Sequence, residues 1–115
     1  MKKHAKPYLM LIQEALERIE TYKPTSEAEF LATELVQDAV VMRLQEIGEN
    51  LARIRDNDAV YFEANADDEW HKIIGLRNLI SHGYDRIEME RIWDIVINHL
   101  PPLSKKVDQL LQNWA

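Results

Sequence analysis

Tyr8, Ile12, Ala15, Leu16, Ile19 and Tyr22 recur at steps of three and four residues, the spacing that lines one face of an α-helix. Pro7 suits the first turn of that helix, where no intrahelical N–H donor is needed. Lys23-Pro24 closes it, because the residue before a proline avoids the helical region. Ser26-Glu27-Ala28-Glu29 then has the form of a capping box, in which each polar side chain satisfies an orphan backbone donor. One long helix is expected to follow, with Leu31, Leu35, Val36, Val40, Leu44, Ile47, Leu51 and Ile54 on its apolar face as far as about Arg55. Gly48 costs such a helix up to ~1 kcal/mol, and close approach of a neighbouring helix is the expected compensation. The stretch from Asn57 to Asn65 reads as a connector, with Val60-Tyr61-Phe62 folded back as an apolar plug.

Asp67 or Asp68 can cap a third helix that turns Trp70, Ile73, Ile74, Leu76 and Ile80 inward. Gly83 is expected to close it in the left-handed conformation that glycine accepts. Asp85-Arg86-Ile87-Glu88 resembles another capping box and opens a fourth helix carrying Ile87, Ile92, Val96 and Leu100. Pro101-Pro102 is expected to break that helix and start a short last one, with Leu103, Val107, Leu110 and Trp114 on one side. Strand-like alternation and hairpin turns are missing. The pattern predicts an all-α, up-and-down bundle of four main helices plus a short C-terminal helix, as one domain over residues 1–115.

Composition narrows the function classes. At 115 residues with 46% apolar positions, the chain can bury a core without disulfide or metal staples. Absent cysteine excludes a disulfide framework, a Cys nucleophile and Cys-ligated zinc. The charged N-terminus is followed by Gln13, Glu14, Glu17 and Arg18 rather than a signal-peptide apolar stretch. No run approaches the ~20 apolar residues of a membrane span, so a cytoplasmic protein with no membrane partner is expected. The formal net charge of −6 argues against holding nucleic acid by bulk charge. That charge is uneven. Asp56, Asp58, Glu63, Asp67, Asp68 and Glu69 come together without a Lys or Arg, whereas His71 to Tyr84 holds Lys72, Arg77 and two histidines without an acid. Asp67, Asp68 and Glu69 are accounted for by a helix N-terminus, whose dipole favours negative charge.

The chemistry-bearing residues gather in Arg77-Asn78-Leu79-Ile80-Ser81-His82-Gly83-Tyr84. Asn78 and His82 lie four apart and share a face; Arg77, Ser81 and Tyr84 line the adjacent one. A cation, an imidazole, a phenol and two neutral polar groups suit phosphodiester chemistry. Imidazole exchanges a proton near neutral pH, and a guanidinium holds phosphate by paired hydrogen bonds. The competing reading is structural, since Arg and His near a helix C-terminus also simply face the dipole. His71, His4 and His99 have no ligand-spaced partners, and Trp70, Trp93 and Trp114 fit core or interface positions better than base-stacking ones. Glu46 and Glu49 read as solvated or paired. No H-E-x-x-H, carboxylate cluster or glycine-rich phosphate loop occurs, so no cofactor or metal is expected.

The run Arg77-x4-His82-x-Tyr84 resembles the R-x4-H-x-Y signature of HEPN-domain proteins, specifically the HepT-like toxins. Gln37-Asp38-Ala39-Val40, Ile47-Gly48-Glu49, the lead-in from Trp70 through Ile73-Ile74-Gly75-Leu76 to Arg77-Asn78, Ile92-Trp93 and Leu100-Pro101 are similar to that family in order and spacing. Together they span roughly Tyr8 to Leu111. The resemblance implies a HEPN-like helical bundle and a metal-independent endoribonuclease, the toxic half of a toxin–antitoxin pair. It implies Arg77 and His82 as catalytic residues, with Asn78, Ser81 and Tyr84 in support. It also implies a homodimer with the motif at its interface, and an MntA-like nucleotidyltransferase antitoxin that silences the toxin by adenylylating Tyr84. Gly83 beside His82 leaves Tyr84 more backbone freedom than a bulkier residue would. Two other readings are a non-catalytic HEPN module that binds RNA or a nucleotide, and a helical dimerisation partner in a two-protein complex.

Overall fold

A computed structural model describes residues 4–83 and 87–114, and every element among them is helical. The first helix, α1 (Lys6–Tyr22), has proline in its first turn and ends at an extended Lys23, as the spacing predicts. Its face of Leu9, Ile12, Ala15, Leu16 and Ile19 is buried against the long helix α3 (Glu34–Asn57).

The single long helix expected from Ser26 is in fact two. Ser26 Oγ accepts the Glu29 amide at 3.2 Å and starts α2 (Glu27–Ala32), but Thr33 is extended (φ −123°, ψ 90°) and α3 begins after it. Side chains take over the carbonyls freed by the break. Thr33 Oγ1 donates to Glu29 O at 2.8 Å, and Gln37 Nε2 donates to Phe30 O at 2.9 Å and Leu31 O at 3.1 Å. The break turns Phe30 into the core against Trp93, ring centroids 5.3 Å apart. It also corrects the apolar face: Leu31 and Leu35 are exposed, Leu35 by 80%, and burial on α3 starts at Val40.

Residues 58–66 are not an irregular connector. Asp58 accepts the Tyr61 amide at 3.4 Å and caps the short helix α4 (Ala59–Asn65). Phe62 is buried from it and Tyr61 packs on Trp114, while Val60 stays exposed, so the plug is Phe62 with Tyr61 beside it. Asp67 accepts the Trp70 amide at 3.2 Å ahead of α5 (Asp68–Gly83), whose Trp70, Ile73, Ile74, Leu76 and Ile80 are all buried. Gly83 is the last helical residue and has no positive φ. The helix runs to its end instead of closing in a left-handed turn there. Asp85 of the second capping box lies outside the described residues; Glu88 is the N-cap of α6 (Met89–Asp94) and makes no side-chain cap.

The prolines do not break the last helix. A π turn over Ile95–His99 joins α6 directly to α7 (Leu100–Gln112), with the prolines in the first turn of α7. Proline lacks the N–H that would bond the preceding turn, and a widened π turn accommodates that loss without redirecting the axis. The fourth helix and the C-terminal one are therefore continuous. The bundle consists of α1, α3, α5 and the α6–π–α7 rod, with α3 central between α1 and α5 and α7 returning along α1. Among the described residues, no helix is long and apolar enough to cross a membrane.

Candidate active site on helix α5

Gly48 sets the site. A Cβ built there would lie 2.5 Å from Arg77 Cβ and 2.9 Å from the Ile73 carbonyl oxygen. Only a residue without a side chain lets α5 approach α3 this closely, and the approach brings Arg77 over the α3 surface. Arg77 Nη1 then donates to Glu49 Oε2 at 3.1 Å, and the other Glu49 oxygen faces Arg53 Nε at 3.5 Å. The Arg77 side chain is one-quarter exposed, and its Nε is buried without a hydrogen-bond partner. One turn along, Gln45 Nε2 donates to Ser81 Oγ at 3.3 Å. Gln45 and Glu49, four apart on α3, thus grip Ser81 and Arg77, four apart on α5, a pairing that helical spacing makes possible.

His82 and Asn78 are exposed on α5, and among the described residues no hydrogen bond joins them. Five positions of α-helix put His82 about 140° around the axis from Arg77. Within one chain the two candidate catalytic groups therefore stand on different flanks of one helix, Arg77 toward α3 and His82 away from it. Tyr84 lies outside the described residues. A cleft of about 330 Å³ lined by Asp38, Val41, Met42, Gln45 and Ile80 runs beside the Arg77 flank.

The remaining candidates sort by packing. His71 sets its ring edge-on to Phe62 at 5.5 Å, and His4 lies 6.1 Å from the Trp114 ring. Trp70 is fully buried, Trp93 nearly so, and Trp114 is packed on the core, so all three indoles serve packing. His99 is tied by Nδ1 to Glu69 Oε2 at 2.9 Å and by Nε2 to Asp94 Oδ2 at 3.6 Å. Glu46 pairs with Arg43 at 2.9 Å. Arg43 also reaches the Tyr22 hydroxyl at 3.4 Å, and that hydrogen bond holds the phenol below its ordinary pKa. Burial pushes the Tyr61 phenol up. Among the described residues, no group of three or more His, Asp or Glu is placed to hold a metal ion. The sequence reading left Glu49 as merely solvated or paired and passed over Gln45. Their signal was the three- and four-residue spacing of Gln45, Gly48 and Glu49, which sets all three on the flank that meets α5.

Comparison with known proteins agrees with this arrangement. The chain is 31% identical over 108 residues to a Methanocaldococcus jannaschii protein named "Putative RNase", covering 93% of this chain and 96% of that one. It is 30% identical over 111 residues to a Thermococcus cleftensis protein named "Probable ribonuclease HepT", covering 96% and 98%. A second M. jannaschii protein, named "Gamma-glutamylcyclotransferase and putative RNase", is 27% identical over 113 residues; they cover 97% of this chain but only 50% of that relative. No solved structure gives a significant match. The family model described as "Ribonuclease HepT-like" matches residues 12–110, and the chain belongs to the HepT-like family.

Proposed function

We propose that this chain is a metal-independent endoribonuclease that cuts RNA with Arg77 and His82, as the toxin of a toxin–antitoxin system. One observation carries the reading. The Arg77-x4-His82-x-Tyr84 spacing falls at the end of α5 in a chain of the HepT-like family, with the arginine tethered and the histidine exposed. RNA supplies its own nucleophile. Attack of a 2′-oxygen on the adjacent phosphorus forms a cyclic phosphate and releases the 5′-oxygen, with one proton removed and one delivered. His82 is assigned to proton transfer and Arg77 to the phosphate, whose charge it offsets as the transition state forms. Asn78 orients His82, and Ser81 or Tyr84 binds phosphate or sugar.

Two copies complete the cleft. The α3 surface exposes Leu35 and Met42, by 80% and 56%, along the flank where Arg77 and Ser81 meet α3. An apolar surface of that kind favours a protein contact. A homodimer formed there sets a second Arg77 and His82 across from the first, so that one histidine accepts a proton while the other donates. The antitoxin is an MntA-like nucleotidyltransferase that transfers AMP to the Tyr84 hydroxyl, placing a bulky anion two residues from His82 and blocking RNA. Substrate and partner place the protein in the cytoplasm.

Purified chain should cleave RNA without added metal, and His82→Ala should lower the rate by ~10²–10⁴, the usual worth of acid–base catalysis. Undiminished cleavage by that variant would sink the assignment. With the antitoxin and ATP, the intact mass should rise by one AMP, and Tyr84→Phe should abolish the rise. A persisting shift would exclude Tyr84 as the sole target.

A further inference from the structure

On the other side of α5 from Glu49, a cavity of about 650 Å³ opens between α5, α6 and the π turn, a volume ordinary for a small-molecule site. Its floor is apolar, formed by Ile73, Leu76, Leu79 and Ile95, and Leu79 is 41% exposed there. Two cations stand at its rim. Arg43, Arg53, Arg55, Arg77 and Lys106 are each paired with a carboxylate. Lys72 and Arg91 have no such partner among the described residues, although both line this cavity in a chain of net charge −6. The one acid at the wall, Asp94, accepts from Asn98 at 2.6 Å and faces His99. Glu69 holds His99 in turn, so the π-turn wall is fixed. Position matters as well, since Leu79 is three residues before His82 and helical neighbours at that spacing are adjacent on the surface. The cavity therefore opens on the flank of α5 that carries the exposed histidine.

We infer that this cavity is a subsite for one nucleotide of a single-stranded RNA, next to the phosphate that is cut, with the base on the Leu79–Ile95 floor and a backbone phosphate between Lys72 and Arg91. The inference rests on the ribonuclease reading for the identity of the ligand, but its test reads binding and needs no cleavage. The full-length chain is titrated into a fluorescent, 2′-O-methylated oligoribonucleotide, which cannot be cut, and anisotropy is followed across a salt series. Lys72→Ala with Arg91→Ala should weaken binding at least tenfold and reduce the slope of log affinity against log salt by roughly 1.4, about 0.7 per lost phosphate contact. Leu79→Ala should weaken binding several-fold with little change in that slope. Lys6→Ala with Lys105→Ala removes two cations outside the cavity and should leave affinity within twofold; circular dichroism confirms that each variant is folded.

Equal losses from the two double variants would mean diffuse charge and overturn the subsite, as would unchanged binding by Lys72→Ala with Arg91→Ala. A change of oligomeric state in that variant, with RNA binding intact, would make the surface a protein contact and also overturn it. Free nucleoside 5′-monophosphates should compete only weakly; competition as strong as by the oligonucleotide would overturn the RNA assignment in favour of a free nucleotide. If the wild-type chain binds through the cavity but never cuts RNA, the ribonuclease reading fails and the subsite stands.

Discussion

Glu49 decides where the Arg77 guanidinium sits. Its pair with Arg77 is partly exposed, so it contributes under ~1 kcal/mol to stability. Its effect on chemistry is larger, because a phosphate-binding group displaced by about 1 Å can cost 10²-fold in rate. Glu49→Gln is therefore expected to lower kcat about tenfold or more, with KM and thermal midpoint little changed, and Glu49→Asp should recover part of the loss. Equal kcat in all three chains would remove Glu49 from the site. The motif residues themselves were legible in the sequence, since Arg77 and His82 announce themselves by local spacing. Glu49 was not, because its partner lies 28 positions away and only helix packing joins them.

At the scale of elements, two glycines make a controlled comparison. Gly48 faces the α5 backbone, whereas a Cβ at Gly75 meets nothing within 4 Å. Gly48→Ala should destabilise the fold by about 1–3 kcal/mol, the usual cost of overpacking, despite alanine's better helix propensity. Gly75→Ala should stabilise by up to ~1 kcal/mol, because propensity alone acts. Urea denaturation of the two variants reads both, and matching signs would contradict the packing described here. Helix identities were readable from periodicity, and the tight contact at Gly48 was foreseeable because a mid-helix glycine needs a reason. The break at Thr33 was not. A capping box marks where a helix starts but says nothing of where it stops, and burial of Phe30 against Trp93 outweighs the continuous apolar pattern. The π turn escaped for a similar reason: Pro101-Pro102 forbids two backbone bonds but does not say whether the chain turns or widens to absorb the loss.

For the whole molecule, charge and exposed apolar surface divide the labour. Acids around residues 56–69 lie away from the motif in sequence, and most described cations are consumed in surface pairs. Leu35 and Met42 remain uncovered. Replacing both, as Leu35→Asp with Met42→Asp, should leave a folded chain, because neither packs in the core. The proposed dimer should dissociate and RNA cleavage fall at least tenfold, read by light scattering and a cleavage assay on the same samples. A dimer unchanged by both aspartates would place the interface elsewhere.

By itself the sequence determined an all-helical chain, the residues that fill its core and an Arg–His pair at a helix end. Apolar periodicity and short-range capping are local properties that read directly along the chain. Tertiary structure decided what each polar group meets. It gave Arg77 to Glu49 and Ser81 to Gln45, placed His82 on the opposite flank, and left Lys72 and Arg91 open over an apolar floor. Those pairings depend on the distance between helices, set by a missing side chain at Gly48, and no linear pattern states a distance.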